Sequence, residues 1–385
     1  MDLSLNVKKT ECMVISKKSS NTKCNLVSKG EKIKQVTKLK YLELPNNIRL
    51  EMLKLNSSSR NSHGQIHISK NENNTGKQKH KCNNPNKDKY KRYNNESSIT
   101  HTTNNKQFDV LGDSARITGH FSLDSLTIAG LTIKNQSFGE ALLETNLFRG
   151  TTNDGILGLG FNNLDGEEEP SVFDNMVSQG LVQAPVFSIY LSRYDSGGPD
   201  SVLTLGGTNP YYREEEFTFI NLTVPHRWQF NIDRVQLSSG DDVFSESGSQ
   251  AVVDLRSSFI AGPFEETRAI NEQLGGILCR GPRGLYNYMF DCSEVDSLPD
   301  VEFIVNGKKL SLSSRDYTVE MELYGKDICA SRILAMGWKE NDGPDWVLGL
   351  NFMRAYYTQF DKGNHRIGFA KSLLVPKDII TREPL

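Results

Sequence analysis

From Phe108 onward the chain breaks into short runs in which apolar and polar residues alternate, and Gly or Asn punctuates the gaps between them. Phe121-Ser122-Leu123-Asp124-Ser125-Leu126-Thr127-Ile128 is one such run. A period of two sends neighbouring side chains to opposite faces, which suits a half-buried strand and not a helical stripe. Ala129-Gly130, Gly206-Gly207, Asn306-Gly307 and Lys362-Gly363-Asn364 read as hairpin turns between strands. Helical signal is sparse. Residues 171–179, stopped by Gly180, and residues 264–274, stopped by Gly275, carry what there is. The expectation is a mostly β domain.

That domain contains an internal echo. Asp154-Gly155-Ile156-Leu157-Gly158-Leu159-Gly160 and Asp345-Trp346-Val347-Leu348-Gly349-Leu350-Asn351 share an apolar pair followed by Gly. They lie about 190 residues apart, too far for a solenoid repeat and suited to a duplicated lobe. Between them, Gln250-Ala251-Val252-Val253-Asp254-Leu255-Arg256-Ser257-Ser258 is an apolar strand that delivers one carboxylate and is followed by small hydroxyl residues. By pattern alone Asp254 could be an ordinary strand-end aspartate.

The first quarter of the chain has a different character. Of the 45 Lys and Arg and 47 Asp and Glu, residues 1–106 hold 22 basic and 8 acidic, leaving 23 and 39 for the remainder. The nominal net charge of -2 therefore conceals a segment of +14 joined to one of -16. Mean hydropathy of -0.49 points to a portion that packs poorly. Residues 1–45 mix short apolar clusters with Lys and read as two or three short strands or hairpin arms. Residues 46–106, rich in Asn, Ser and Lys, read mostly as a loosely attached linker, because little apolar surface is available to offset ordering entropy.

Several classes are excluded. The N-terminal residues show no apolar h-region, so no signal peptide is expected. No apolar run approaches ~18 residues, so no membrane span is expected. The cysteines at 12, 24, 82, 279, 292 and 329 lack a metal spacing, as do His63, His67, His80 and His101. Cys292 and Cys329 flank strand-like sequence and could bridge; Cys12 and Cys24 read as free thiols. The Lys/Asn tract lacks interleaved aromatics, so a solvated linker is favoured over nucleic-acid binding. Sequons at Asn56, Asn73, Asn95, Asn135 and Asn221 are common in Asn-rich sequence, and without a signal peptide glycosylation is not expected.

From about Cys82 to Ser372 the chain resembles the pepsin and cathepsin-D-type aspartic proteases. Ile117-Thr118-Gly119-His120-Phe121-Ser122, the first echo copy, Val172-Phe173-Asp174-Asn175 and Phe187-Ser188-Ile189-Tyr190-Leu191-Ser192 carry the first half of the match. The stretch around Asp254, Leu298-Pro299-Asp300-Val301-Glu302-Phe303, Trp346-Val347-Leu348-Gly349 and residues 354–361 carry the second. The resemblance implies an all-β, pepsin-like bilobal fold in which each lobe brings an Asp-Thr-Gly loop to a central cleft. It implies polypeptide as substrate or ligand, no cofactor, no metal and a monomer, and it implies a Cys292–Cys329 disulfide. The family is secreted or lysosomal, which sits beside the absent signal peptide and leaves a cytoplasmic location open.

Peptide hydrolysis in this family rests on two carboxylates ~3 Å apart that share one proton. The ionised member takes a proton from water while the protonated one polarises the scissile carbonyl. Asp254 matches the second of the pair, but Leu255 and Arg256 stand where Thr and Gly are expected. Arg256, if close, would depress the Asp254 pKa and oppose proton sharing. No first aspartate is found: Asn74-Thr75-Gly76 is the sole look-alike, and it is an amide without flanking apolar strands. In the flap region, Gly112-Asp113-Ser114 replaces the expected Tyr-Gly hairpin tip. Cys82 matches one member of a small first-lobe loop whose partner is missing.

Residues 3–43 resemble the end of the palm of a LINE-type reverse transcriptase, without its Asp-Asp polymerase motif. The expected organisation is therefore a reverse-transcriptase-like fragment at 1–45, a linker and degraded lobe start at 46–106, a remnant N-terminal lobe at 107–210, a C-terminal lobe at 211–372 and a tail at 373–385. The expected function is aspartic endopeptidase by family and inactivity for this chain. Two alternatives stay open: a non-catalytic peptide-binding relative, and a chimeric product without a stable role.

Overall fold

The computed structural model describes the backbone of residues 12–16 and 40–44, and then residues 93–111, 116–144, 153–161, 170–192, 201–240, 243–245, 248–255, 257–280, 286–323, 326–336 and 343–373. The described chain is mostly β-strand with few helices, in line with the all-β expectation. No helix among the described residues is long and apolar enough to cross a membrane.

The alternating runs become a three-stranded antiparallel sheet of Thr102–Leu111, Arg116–Ile128 and Leu131–Glu144. Ala129 and Gly130 are both left-handed (φ 50° and 72°), which matches the right-handed strand twist across a two-residue turn. Asn306 (φ 48°) and Gly307 (φ 69°) do the same between Val301–Val305 and Lys308–Leu312. The first strand opens at Thr102, inside the stretch expected to be linker. Polar contacts hold this region where apolar burial is scarce: Thr100 and Tyr93 both donate hydrogen bonds to Asp124.

Helix α1 (Val172–Ser178) begins on a Ser171/Asp174 capping box, and Gly180 (φ 62°) follows its end. Helix α2 (Phe264–Gln273) is followed by Gly275 (φ 80°). Both stand where the sequence placed them. Two short helices, α3 (Ser314–Tyr317) and α4 (Leu350–Ala355), were not anticipated.

A six-stranded sheet joins the two halves of the chain in the order Lys40–Leu44, Ser201–Leu205, Val186–Tyr190, Tyr356–Asp361, Arg366–Lys371 and Thr218–Asn221. Beneath it Phe187 stacks on Phe360 at 4.7 Å, and Trp228 meets both rings edge-on at 5.8 and 5.0 Å. All three are essentially sealed from water, each contributing about 2–3 kcal/mol through burial. The two N-terminal strands do not pair with each other as hairpin arms. Cys12–Ser16 runs antiparallel to Asn153–Gly158, and Lys40–Leu44 runs antiparallel to Ser201–Leu205.

Candidate active site

Asp254 stands at the end of the strand Ser249–Val253, whose Ala251, Val252 and Val253 are buried. This strand lies in a five-stranded sheet ordered Gln229–Ile232, Ser249–Val253, Trp346–Leu348, Ile260–Gly262 and Ile333–Ala335. Trp346–Leu348 runs parallel to the strand before Asp254 and antiparallel to the strand after it. The chain therefore leaves the sheet at Asp254, loops over, and returns on the far side of a strand threaded between. Ala251, Val252 and Val253 are consecutive and all buried, so both faces of this strand are covered, as its continuous apolar sequence requires.

Main-chain hydrogen bonds set the loop. The Asp254 amide donates to the Leu348 carbonyl (3.2 Å), Ser257 N–H to the Asp254 carbonyl (3.2 Å), and Leu350 N–H to the Ser257 carbonyl (2.8 Å). Ser257 Oγ donates to the Phe259 carbonyl at 2.9 Å and accepts from the Phe259 amide at 3.2 Å. The Ser257 hydroxyl thus folds the loop back on itself. Gly349 N–H donates to the Phe259 carbonyl (3.1 Å), and a Cβ at Gly349 would run into the Ser257 and Phe259 carbonyl oxygens. A glycine is required there by close approach of backbone.

Asp254 is 6% exposed and Leu255 1% exposed. Leu255 belongs to the apolar core cluster, so its side chain adds packing and has no polar atom to offer. The other half of the echo is built differently. Asp345 accepts a hydrogen bond from the Gln250 amide (2.8 Å), tying the threaded strand to the strand that carries Asp254. Asn153–Gly158 has one described partner, Cys12–Ser16, and that partner is antiparallel. Among the described residues no strand runs parallel to it, which is the position from which Ser249–Val253 delivers Asp254 in the second half.

The remaining candidate positions, Asn74, Arg256 and the flap residues Gly112, Asp113 and Ser114, lie outside the described residues. Cys292 and Cys329 form a disulfide with Cα atoms 5.1 Å apart. It closes a separation of 37 residues, which constrains the unfolded chain by about 4 kcal/mol in the loop-entropy account. Cys279 is a free thiol on Ile277–Arg280.

Sequence reading missed Lys362. Its Nζ lies 2.6 Å from Asp174 Oδ1, donates to the Gly160 carbonyl at 2.9 Å, and sits 5.1 Å from the Phe161 ring centroid. It joins the hairpin of Tyr356–Asp361 and Arg366–Lys371 to the N-terminus of α1. Its place in a Lys-Gly-Asn turn had marked it as punctuation, and nothing local signals that the turn docks on a carboxylate.

A family model described as eukaryotic aspartyl protease matches residues 70–372. Cathepsin D of Clupea harengus is 36% identical over 283 residues, covering 73% of this chain and 70% of the relative. Cathepsin D of Homo sapiens is 33% identical over 294 residues, with coverage of 73% and 70%. Cathepsin D of Dictyostelium discoideum is 36% identical over 287 residues, with coverage of 74% and 73%. With the threaded loop at Asp254, the duplicated Gly-bearing strand and the Cys292–Cys329 bridge in place, the chain belongs to the eukaryotic aspartyl proteases.

Proposed function

We propose that this chain is a cathepsin-D-type aspartic protease relative that holds one half of the catalytic pair and does not hydrolyse peptide bonds. The observation that carries this reading is the unequal treatment of the two echo strands. Trp346–Leu348 has a parallel partner that ends in Asp254, whereas Asn153–Gly158 has only the antiparallel Cys12–Ser16 among the described residues. A single carboxylate can hold a water or polarise a carbonyl, but it cannot do both at once. Leu255 further removes a hydroxyl that could hydrogen-bond to an opposing loop. The charge split supports the companion reading that residues 3–43 derive from a reverse-transcriptase palm and replace the segment that would have brought the first aspartate.

The purified full chain, incubated with acid-denatured haemoglobin, is expected to give no cleavage above a buffer control. Cleavage that a pepstatin-type inhibitor blocks, and that Asp254→Asn abolishes, would overturn the proposal.

A further inference from the structure

We propose that Asn135 is an N-linked glycosylation site. Five Asn-x-Ser/Thr sequons occur, at Asn56, Asn73, Asn95, Asn135 and Asn221, and the first two lie outside the described residues. Asn95 is half-buried and its amide nitrogen donates to Glu140 Oε1 at 3.2 Å, so that nitrogen already has a structural task. Asn135 is placed otherwise. It lies in Leu131–Glu144 at a bulge, where Lys134 and Asn135 together face Ser125 because the register slips between Asp124 and Leu126. Its backbone is left-handed (φ 53°), a conformation that Asn tolerates better than most residues.

The bulge breaks the in-out alternation of the strand. Ile133 and Gln136 are sealed in the interior, while Lys134 and Asn135 are both exposed. The residues on either side are anchored, Lys134 through its backbone and Gln136 through its side chain. Lys134 N–H donates to Gln179 Oε1 (3.0 Å) and its carbonyl accepts from Gln179 Nε2 (2.9 Å). Gln136 Oε1 accepts from Asn175 Nδ2 (3.0 Å). The fold therefore presents the Asn135 side chain to solvent on an anchored strand, where a large polar substituent displaces nothing from the interior.

The Cys292–Cys329 disulfide supplies an independent argument. Such a bond forms and persists in oxidising compartments such as the lumen of the endoplasmic reticulum, where sequons are also read. Ser137, the hydroxyl of this sequon, is buried in the fold, so transfer must precede folding of this sheet. In that step the Asn135 amide nitrogen attacks C1 of an oligosaccharide carried on a polyprenyl pyrophosphate. The N–C1 bond forms, the C1–O bond breaks, the pyrophosphate leaves with the bonding electrons, and the amide proton passes to solvent.

The full chain behind a cleavable secretory leader in cultured eukaryotic cells tests this. Only product with Cys292–Cys329 oxidised is taken, treated with peptide N-glycosidase and mapped by mass spectrometry. Asn135 is expected to read as Asp in most molecules after the enzyme, and without it the same peptide is expected to carry the mass of the glycan. Untreated wild type should also run one glycan heavier than Asn135→Asp, a variant that keeps the left-handed preference and so the bulge. An unmodified Asn135 in the disulfide-bonded product overturns the proposal, whatever the state of Asn221. Neither outcome depends on whether the chain cleaves peptides.

Discussion

Gly349 sits where the threaded strand turns into α4, and two carbonyl oxygens of the Asp254 loop crowd its Cα. Its own backbone angles are open to any residue (φ -90°), so only the crowding demands glycine. Gly349→Ala should therefore cost about 3 kcal/mol, the upper end for forcing an extra carbon into a packed site. Urea unfolding of the variant checks this, and an unchanged midpoint would mean the loop gives way easily. Lys362 makes the opposite kind of claim. Its side chain is 10% exposed and its charge is matched by Asp174 across the join between the halves. Lys362→Met would leave Asp174 beside an apolar neighbour, but the Asp174 side chain is 26% exposed and still accepts from Ser171, so a cost of about 1–3 kcal/mol is expected. The Asp174→Asn, Lys362→Met double variant should recover part of that loss, and a double-mutant cycle measures the coupling.

The elements of the three-stranded sheet are held by a carboxylate as much as by apolar faces. Burial of Asp124 opposes its ionisation, but hydrogen bonds from Thr100, Tyr93 and Ser98 and from the Ser125 amide outweigh it and bring the carboxyl down to about 2. Burial first, and then Asp124 itself, push the Tyr93 hydroxyl well above its ordinary range. A carboxyl whose folded pKa is depressed stabilises the fold above its unfolded pKa and loses that contribution as pH falls. Stability of the wild type should therefore drop between about pH 4 and pH 2. Asp124→Asn should flatten that limb in a pH series of thermal melts. A limb of unchanged steepness would show that other carboxylates govern acid unfolding. The strand Thr102–Leu111 was legible from Phe108 onward, where alternation begins, but Thr102 to Gln107 carry no apolar signal. Their order comes from ladder bonds to Arg116–Ile128 and from Asp124, a partner distant in the sequence. The long helices were legible because Ser171, Gly180 and Gly275 are local start and stop signals, whereas α3 and α4 are too short to show a period.

For the molecule as a whole, Lys40–Leu44 closes one edge of the six-stranded sheet. Deleting residues 1–45 would bare the backbone of Ser201–Leu205, and an uncovered edge recruits strands from other chains. The truncated protein should self-associate with concentration in sedimentation velocity while the full chain does not. Equal behaviour of the two would mean that another segment covers the edge. Local patterns alone dictated the β class, the turns at Ala129-Gly130 and Asn306-Gly307, and the helices α1 and α2, because each depends on residues within a few positions of one another. Asp254 stood out through the resemblance of its stretch to the second aspartate loop of a pepsin-type pair, which is a contiguous feature. Only the tertiary structure could decide that Trp346–Leu348 threads the Asp254 loop while Asn153–Gly158 takes Cys12–Ser16 as its partner. The same holds for Lys362 meeting Asp174. Pairings over such distances follow from which surfaces bury each other on folding, and no window of sequence contains both sides of that exchange.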